Sequence, residues 1–519
     1  MPDRRDKFIS LFAALVLLGF LAVFALLNFR CLPVFCDGDI YTDMSLSRLM
    51  WEQKTLFPEG WIFGNQVYVI ATPVLASLFY GLTGSLNLAM ALATTLMGLL
   101  LLGSLAWMLR PFIPQRGTRL CTLLLFTAAP MGVRLLLEPE GQLLFVLASY
   151  YACYLITLFI VFGDYVRALD LPDRRRLPAL VLALALSFAT GMQSPRQTAV
   201  MVLPLLALEG FALLRRLFLR EPVLPAARRR ALRRVLAYSA ANLLGLLALR
   251  VLPVPCHSIY EAPEGGLAGR LHPLWAALRG ISGLDAALGG EGAWFFLLFF
   301  AAQLCCVLLA ALAVLRSLKR GVDGLGRLWL LCLISLGGTL LAGLLLPLKM
   351  REIYLFVWIP FVGLSGALTL RLLPKARALL ALLLCVLCLG NLALSYGSSL
   401  RYAREADTEA QRAFVHDAEA AGIRTVYGDW FSLPGFAVWS DGALRCGFWD
   451  EVTLQPLDYL NLQDIYSEAD NDDALYLMAP WYEPSFLALA GEYGAELELF
   501  GQYGRTLVYR ADRQLMRFP

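Results

Sequence analysis

Charge is scarce in this chain. Asp, Glu, Lys and Arg make up 16% of its 519 residues, against about 25% in soluble domains. That shortage excludes an ordinary soluble globular protein. Histidine is scarcer still, at three residues. Cys-x-x-Cys spacing occurs at Cys385 and Cys388, inside an apolar run, and no His-rich tract is present, so a metal site has little support in the sequence. There is no internal repeat and no low-complexity linker. The net charge of +4 is too small to argue for a nucleic-acid partner.

What is abundant is apolar. Hydrophobic residues reach 59% and the mean hydropathy is +0.64. Several nearly uncharged runs approach twenty residues, the length that crosses about 30 Å of hydrocarbon. The composition predicts an α-helical polytopic membrane protein. About eleven spans are expected: Phe8–Asn28, Leu86–Leu109, Leu120–Leu136, Leu143–Phe162, Pro178–Thr190, Thr198–Leu214, Val235–Leu252, Trp294–Leu315, Leu328–Leu346, Ile353–Leu370 and Ala378–Tyr396. The fifth and sixth are short. Arg4, Arg5 and Lys7 precede the first, which predicts a cytoplasmic N-terminus. Asn28-Phe29-Arg30-Cys31 is a poor cleavage context for a signal peptide.

The loops test this register. Arg110–Arg119, Arg167–Arg176, Arg215–Arg234, Arg316–Arg320 and Arg371–Arg377 all fall on one side, as expected when Lys and Arg stay cytoplasmic. Counting Val67–Gly81 as a span would turn all five clusters outward. That stretch is therefore read as a helix lying in the interface, interrupted by Pro73. The count places the C-terminus outside.

Composition changes near Ser398. Residues 1–397 read as the membrane domain, with 29–85 as its first outer loop, and 398–519 as a small extracytoplasmic α/β domain. Helices are expected at Glu405–Ala421 and Ser485–Tyr493. Strands are expected at Thr425–Tyr427, Ala474–Met478, Leu497–Phe500 and Arg505–Tyr509, with a turn at Tyr503-Gly504.

Seven of the eleven cysteines lie in or at the ends of spans and read as small apolar filler. Of the others, Cys31 and Cys36 could close a short disulfide in an oxidising compartment.

The scarce acids cluster. Asp37, Asp39 and Asp43 follow the first span directly, beside the bilayer. In a soluble protein such a group would be a solvated loop entry. Glu138-Pro139-Glu140 turns between the third and fourth spans on the same face. Two acidic sets at helix mouths could share a divalent cation (Mg or Mn) through Asp37, Asp39 and Glu138. Alternatively, one acid could act as a general base while another positions the acceptor. Cations occur on that face as well: Lys349 and Arg351 between the ninth and tenth spans, and Arg196 in Ser194-Pro195-Arg196-Gln197. Such groups meet phosphate or snorkel to lipid headgroups. His257 and His272, in the outer loop, read as surface histidines.

These segments carry a resemblance. Asp37-x-x-x-Tyr41, Phe57-Pro58…Gly64, Pro73 and Phe79–Gly84 resemble the first outer loop of the GT-C glycosyltransferases. The branch is that of the protein O-mannosyltransferases and lipid A aminoarabinose transferases. Glu138-Pro139-Glu140-Gly141 is similar to the acid-Pro signature of that family's second outer loop. Lys349-x-Arg351-x-x-Tyr354-Leu355, with Pro360, resembles a late Arg-Tyr-Leu…Pro segment. Gly38 replaces the second acid of the family pair, with Asp39 one position later. Thr72 stands where the aminoarabinose branch has Lys.

The resemblance implies an inverting transfer of a sugar from a polyprenyl-phosphate donor to an envelope glycan, lipid or protein at the outer membrane face. Asp37, Asp39 and Glu138 would be the catalytic acids. Tyr41, Glu140, Arg196, Lys349, Arg351 and Tyr354 would contact substrate. A flippase of lipid-linked glycans and an inactive scaffold of the same fold are the alternatives. Transporters place ionisable groups at mid-membrane depth, whereas these spans read as nearly bare of acids.

Overall fold

The computed structural model describes residues 4–128, 147–170, 177–219, 225–257, 266–289, 293–318, 321–346, 350–450, 453–457, 459–466 and 474–516. Among these, eight helices are long and apolar enough to cross a membrane: Asp6–Phe35, Leu86–Leu109, Ala148–Asp170, Thr198–Phe218, Ala226–Val251, Ala293–Ser317, Gly324–Leu345 and Arg377–Glu405. Thr72–Thr83, Leu177–Gln193 and Trp358–Leu372 are shorter apolar helices. The expected spans fall on helices wherever they are described. The third is helical through Ala128, and residues 129–146 lie outside the described set. The tenth begins at Trp358, because Glu352–Leu355 forms a 3-10 turn before it.

Contacts divide the chain into two units. The first comprises Met1–Phe24, Leu96–Leu252 and Tyr260–Ser399, and the second Ala25–Thr95, Pro253–Ile259 and Leu400–Pro519. Residues 29–85, expected with the membrane helices, thus group with the C-terminal chain.

Inside the first unit, apolar burial cannot drive helix association once lipid surrounds the chain, so small residues and polar bonds take over. Helices Leu177–Gln193 and Ala226–Val251 meet at two glycines. A Cβ on Gly191 would overlap the Asn242 carbonyl, and one on Gly245 would overlap the Phe188 carbonyl. The buried Asn242 accepts from Thr198 Oγ1 at 2.6 Å and donates to the Ser187 carbonyl at 3.2 Å. Helix Trp358–Leu372 is buried from Ile359 to Leu370, and Trp329 Nε1 donates to Ser365 Oγ at 2.8 Å.

The spans are less bare of acids than their composition suggested. Asp164 and Glu209 are fully buried near the basic loops. Arg234 Nη1 lies 2.6 Å from Asp164, which also accepts from Tyr238, and Arg228 lies 3.1 Å from Glu209, which accepts from Tyr165. Each buried charge has a partner, the condition under which such charges persist.

The second unit is built on seven strands among the described residues: β1 (Trp61–Ile62), β2 (Thr425–Asp429), β3 (Arg445–Trp449), β4 (Asn461–Leu462), β5 (Ala474–Met478), β6 (Leu497–Tyr503) and β7 (Thr506–Ala511). Five form one sheet of order β3-β2-β5-β7-β6. β3, β2 and β5 run parallel, and β7 and β6 antiparallel. Every residue of β2 and β5 is buried. Tyr427, Trp449, Tyr476 and Phe486 fill the core beneath helix Glu483–Glu492. The expected strands are present, and β1, β3 and β4 are additions to them. The expected helix at Glu405 is two helices. Arg377–Glu405 runs on from the last span, and Glu409–Ala420 starts after Asp407 accepts from the Glu409 N–H at 3.0 Å.

The segment from residue 29 to 85 joins this sheet domain. β1 pairs antiparallel with β4. Helix Gly38–Gln53 starts at Asp37, whose Oδ1 accepts from the Ile40 N–H at 2.7 Å, the usual N-cap bond. It ends at Lys54, in the left-handed region at φ 55°. The helix expected over Val67–Gly81 runs instead from Thr72 to Thr83. Pro73 opens it rather than interrupting it, since proline fits the first turn, where an N–H has no partner. Gly84, at φ +70°, ends it.

One short segment of the sheet domain grips this region three times. Asp441 caps helix Leu86–Leu109 by accepting from the Asn87 N–H at 2.8 Å. The Gly442 carbonyl accepts from Arg48 at 2.6 Å. Tyr41 Oη lies 3.3 Å from the Leu444 carbonyl and 3.1 Å from Cys446 Sγ. Gly38 lies flat under the Trp430 indole, where a Cβ would overlap the ring.

Two outcomes follow from this packing. Gly245→Val should remove most folded protein recovered in mild detergent, as read by size-exclusion yield. Gly210→Val, where a Cβ meets nothing within 4 Å, should leave recovery unchanged. Gly38→Ala should cost about 1–3 kcal/mol by overpacking. A double-mutant unfolding cycle should show that cost largely gone in a Trp430→Ala background.

Candidate active site

The residues singled out from the sequence fall into two sets, one in each unit. Glu138, Glu140 and Lys349 lie outside the described residues.

The acidic set belongs to the second unit. Asp37 and Asp39 sit at the N-terminus of helix Gly38–Gln53, partly exposed. The helix dipole there favours the ionised carboxylate by about 0.3–1 kcal/mol each. Asp43, one turn after Asp39, is 1% exposed. Burial pushes its carboxyl well above the usual carboxylate range, with Asp39 and Asp37 adding to the effect and a hydrogen bond from Tyr68 opposing it. Tyr41 is 2% exposed. Its ring packs edge-on to Phe448 at 6.4 Å, and its hydroxyl faces Cys446, whose thiol burial pushes up to about 12. Tyr41 therefore anchors the acid-bearing helix to β3. Cys31 and Cys36 are both free thiols. Among the described residues, no three His, Cys, Asp or Glu side chains group to hold a metal ion.

The cationic set belongs to the first unit. Arg196 follows helix Leu177–Gln193, and three tyrosines surround its guanidinium. The ring centroids of Tyr151, Tyr154 and Tyr354 lie 5.1, 5.6 and 5.1 Å from it. Such a cage holds a cation by the ring quadrupoles while leaving its N–H donors in plane. Tyr154 is itself fixed by Gln193 Nε2 at 3.2 Å and by Phe356 at 6.5 Å between centroids. Arg351 is exposed at the start of the 3-10 turn Glu352–Leu355, whose third residue is Tyr354. The fold thus brings Arg196 and Tyr354 together. Glu352 packs flat on Gly280, where a Cβ would overlap its carboxyl.

Sequence reasoning missed Tyr151 and Tyr154, which read as filler of an apolar span. Their spacing of three residues puts them on one helix face, and that was the available signal. It also missed Tyr68 and Trp430, which lie in irregular chain with no periodic cue. His257 and His272 are exposed.

No family profile and no curated relative matches the chain. Solved structures do. ArnT from Cupriavidus metallidurans in the apo state is 15% identical, with 99% of each chain covered and a TM-score of 0.60. ArnT from the same organism bound to undecaprenyl phosphate is 14% identical, with 99% of each chain covered and a TM-score of 0.58. The chain is a multi-pass membrane protein that shares the fold of ArnT along nearly its whole length.

Proposed function

We propose that this protein is a glycosyltransferase that moves a sugar from a polyprenyl-phosphate donor to a cell-envelope acceptor at the outer membrane face. One observation carries the reading: the chain shares its fold, end to end, with a protein crystallised with undecaprenyl phosphate. The two residue sets fit that chemistry. Asp37, or Asp39 beside it, takes the proton from an acceptor hydroxyl as the oxygen attacks the anomeric carbon. The bond from that carbon to the phosphate oxygen breaks, and the phosphate leaves with the electron pair. Arg196, Arg351 and Lys349 stabilise the phosphate as its charge grows. A single displacement of this kind inverts the anomeric centre.

The tyrosine cage has a defined task in this scheme. It holds Arg196 against three ring faces, which fixes where the guanidinium meets an anion. Tyr41 holds the acid-bearing helix from behind, and Glu138 serves as the acid of the second outer loop. The charge balance rests on the arginines, and no step here runs through a metal ion. The clustering of every basic loop on one side supports a cytoplasmic N-terminus and an extracytoplasmic sheet domain. That domain would bind the acceptor.

Transfer is measured with membranes and a labelled polyprenyl-phosphate sugar. Asp37→Asn should lower it about 10²–10⁴-fold, the span for a general base, and Arg351→Ala about 10²–10³-fold, at unchanged protein levels. Unchanged transfer in both variants would remove the site assignment. Vectorial movement of an unmodified lipid-linked glycan would overturn the function. Arg196→Lys should lose much of the transfer although the charge is kept, because a lysine lacks the planar fork that fits phosphate. Wild-type rates in that variant would show that charge alone suffices.

A further inference from the structure

Asp43 is the acid that the proposed chemistry leaves without a task, and its surroundings are unusual. It is 1% exposed, and its Oδ2 has no hydrogen-bond partner among the described residues. The Tyr68 hydroxyl bonds its carboxyl. Asp39 lies one helical turn before it on the same face, and Asp37 just beyond. Helix Thr72–Thr83, packed alongside, carries one titratable residue, Tyr80, which acts on Arg48 rather than on Asp43. Arg48 is itself committed to Glu52 at 2.7 Å and to the Gly442 carbonyl. From β3, Cys446 faces Tyr41. The charged groups that act on Asp43 most strongly are therefore two other acids.

An ionised carboxylate in this place would be buried, half-satisfied and beside like charges. Each of these conditions favours the neutral form. We propose that Asp43 holds a proton at neutral pH and acts as a positioning residue for the helix that presents Asp37 and Asp39. The inference rests on the reading that this acidic set serves sugar transfer. With Asp43 neutral, the acceptor side carries less negative charge as the anionic donor arrives. The Tyr68 hydroxyl then fixes the neutral carboxyl, and so the rotation of the helix that presents Asp37 and Asp39.

The sign of the pH effect is definite. An Asp in the unfolded chain loses its proton near pH 3.9, while folded Asp43 keeps it to higher pH. Between those two values the unfolded state binds fewer protons, so stability falls as pH rises. Asp43→Asn removes this penalty. Its thermal midpoint should therefore gain on wild type as pH rises through the neutral range. A midpoint difference flat with pH would overturn the proposal.

Infrared difference spectroscopy on the full-length protein in detergent reads the proton directly and needs no transfer activity. Wild type should show a protonated-carboxyl carbonyl band that Asp43→Asn abolishes. Should that variant fail to fold, Tyr68→Phe should instead shift the band by removing its hydrogen bond. A spectrum unchanged in the folded variants would overturn the proposal, whatever the assay says. In the transfer assay, wild-type activity should decline as alkaline pH ionises Asp43, and the decline should disappear in Asp43→Asn. Persistence of the same decline would rule out the positioning role. Loss of transfer in every protein, with the band intact, would sink only the functional reading.

Discussion

The structure of the acidic set depends on one short stretch of chain, Asp441 to Cys446. Its side chains and carbonyls cap helix Leu86–Leu109, hold Arg48 and face the Tyr41 hydroxyl. Helix Gly38–Gln53 carries Asp37, Asp39 and Asp43, and polar side chains interrupt its apolar ones too often for lipid to anchor it. What orients it is this grip, together with Trp430 lying over Gly38. Position 38 has no room for a side chain for the same reason, since the indole fills the space a Cβ would take.

The two residue sets tune charge by opposite means. The acids are graded by depth, with Asp37 and Asp39 partly exposed at a helix dipole and Asp43 buried. In the cationic set, Arg196 is held by aromatic faces, which attract a cation. Carboxylates change protonation with burial, whereas a guanidinium does not. Depth can therefore act as a control on the first set and only as a scaffold for the second.

Much of the architecture was legible because membrane and sheet cores leave strong one-dimensional traces. Long uncharged runs announced the spans, β5 announced itself as a short apolar run, and β2 through the strand formers Thr425-Val426-Tyr427. β3 did not, because Arg445-Cys446-Gly447 breaks both alternation and hydrophobicity; Gly447 is there to admit the Tyr427 ring. Asp37, Asp39, Arg196, Arg351 and Tyr354 stood out because charge or polarity is rare beside a membrane. The burial of Asp43 was invisible, since it depends on Tyr68 and a helix whose start at Pro73 was misplaced. The tyrosine cage was hidden for a related reason. Tyrosine in an apolar span looks like bulk until its partner is known to be a cation about 40 residues away.

The grip on Tyr41 also has a temporal side. Tyr41 and Leu444 are 403 residues apart in the chain. At synthesis rates of about 5–20 residues per second, roughly 20–80 seconds separate the emergence of the acid-bearing helix from that of the segment that orients it. During that interval the membrane helices are inserted one after another while residues 29–85 lack their fixed partner. Assembly of the acidic set therefore waits on a segment made long after its own residues.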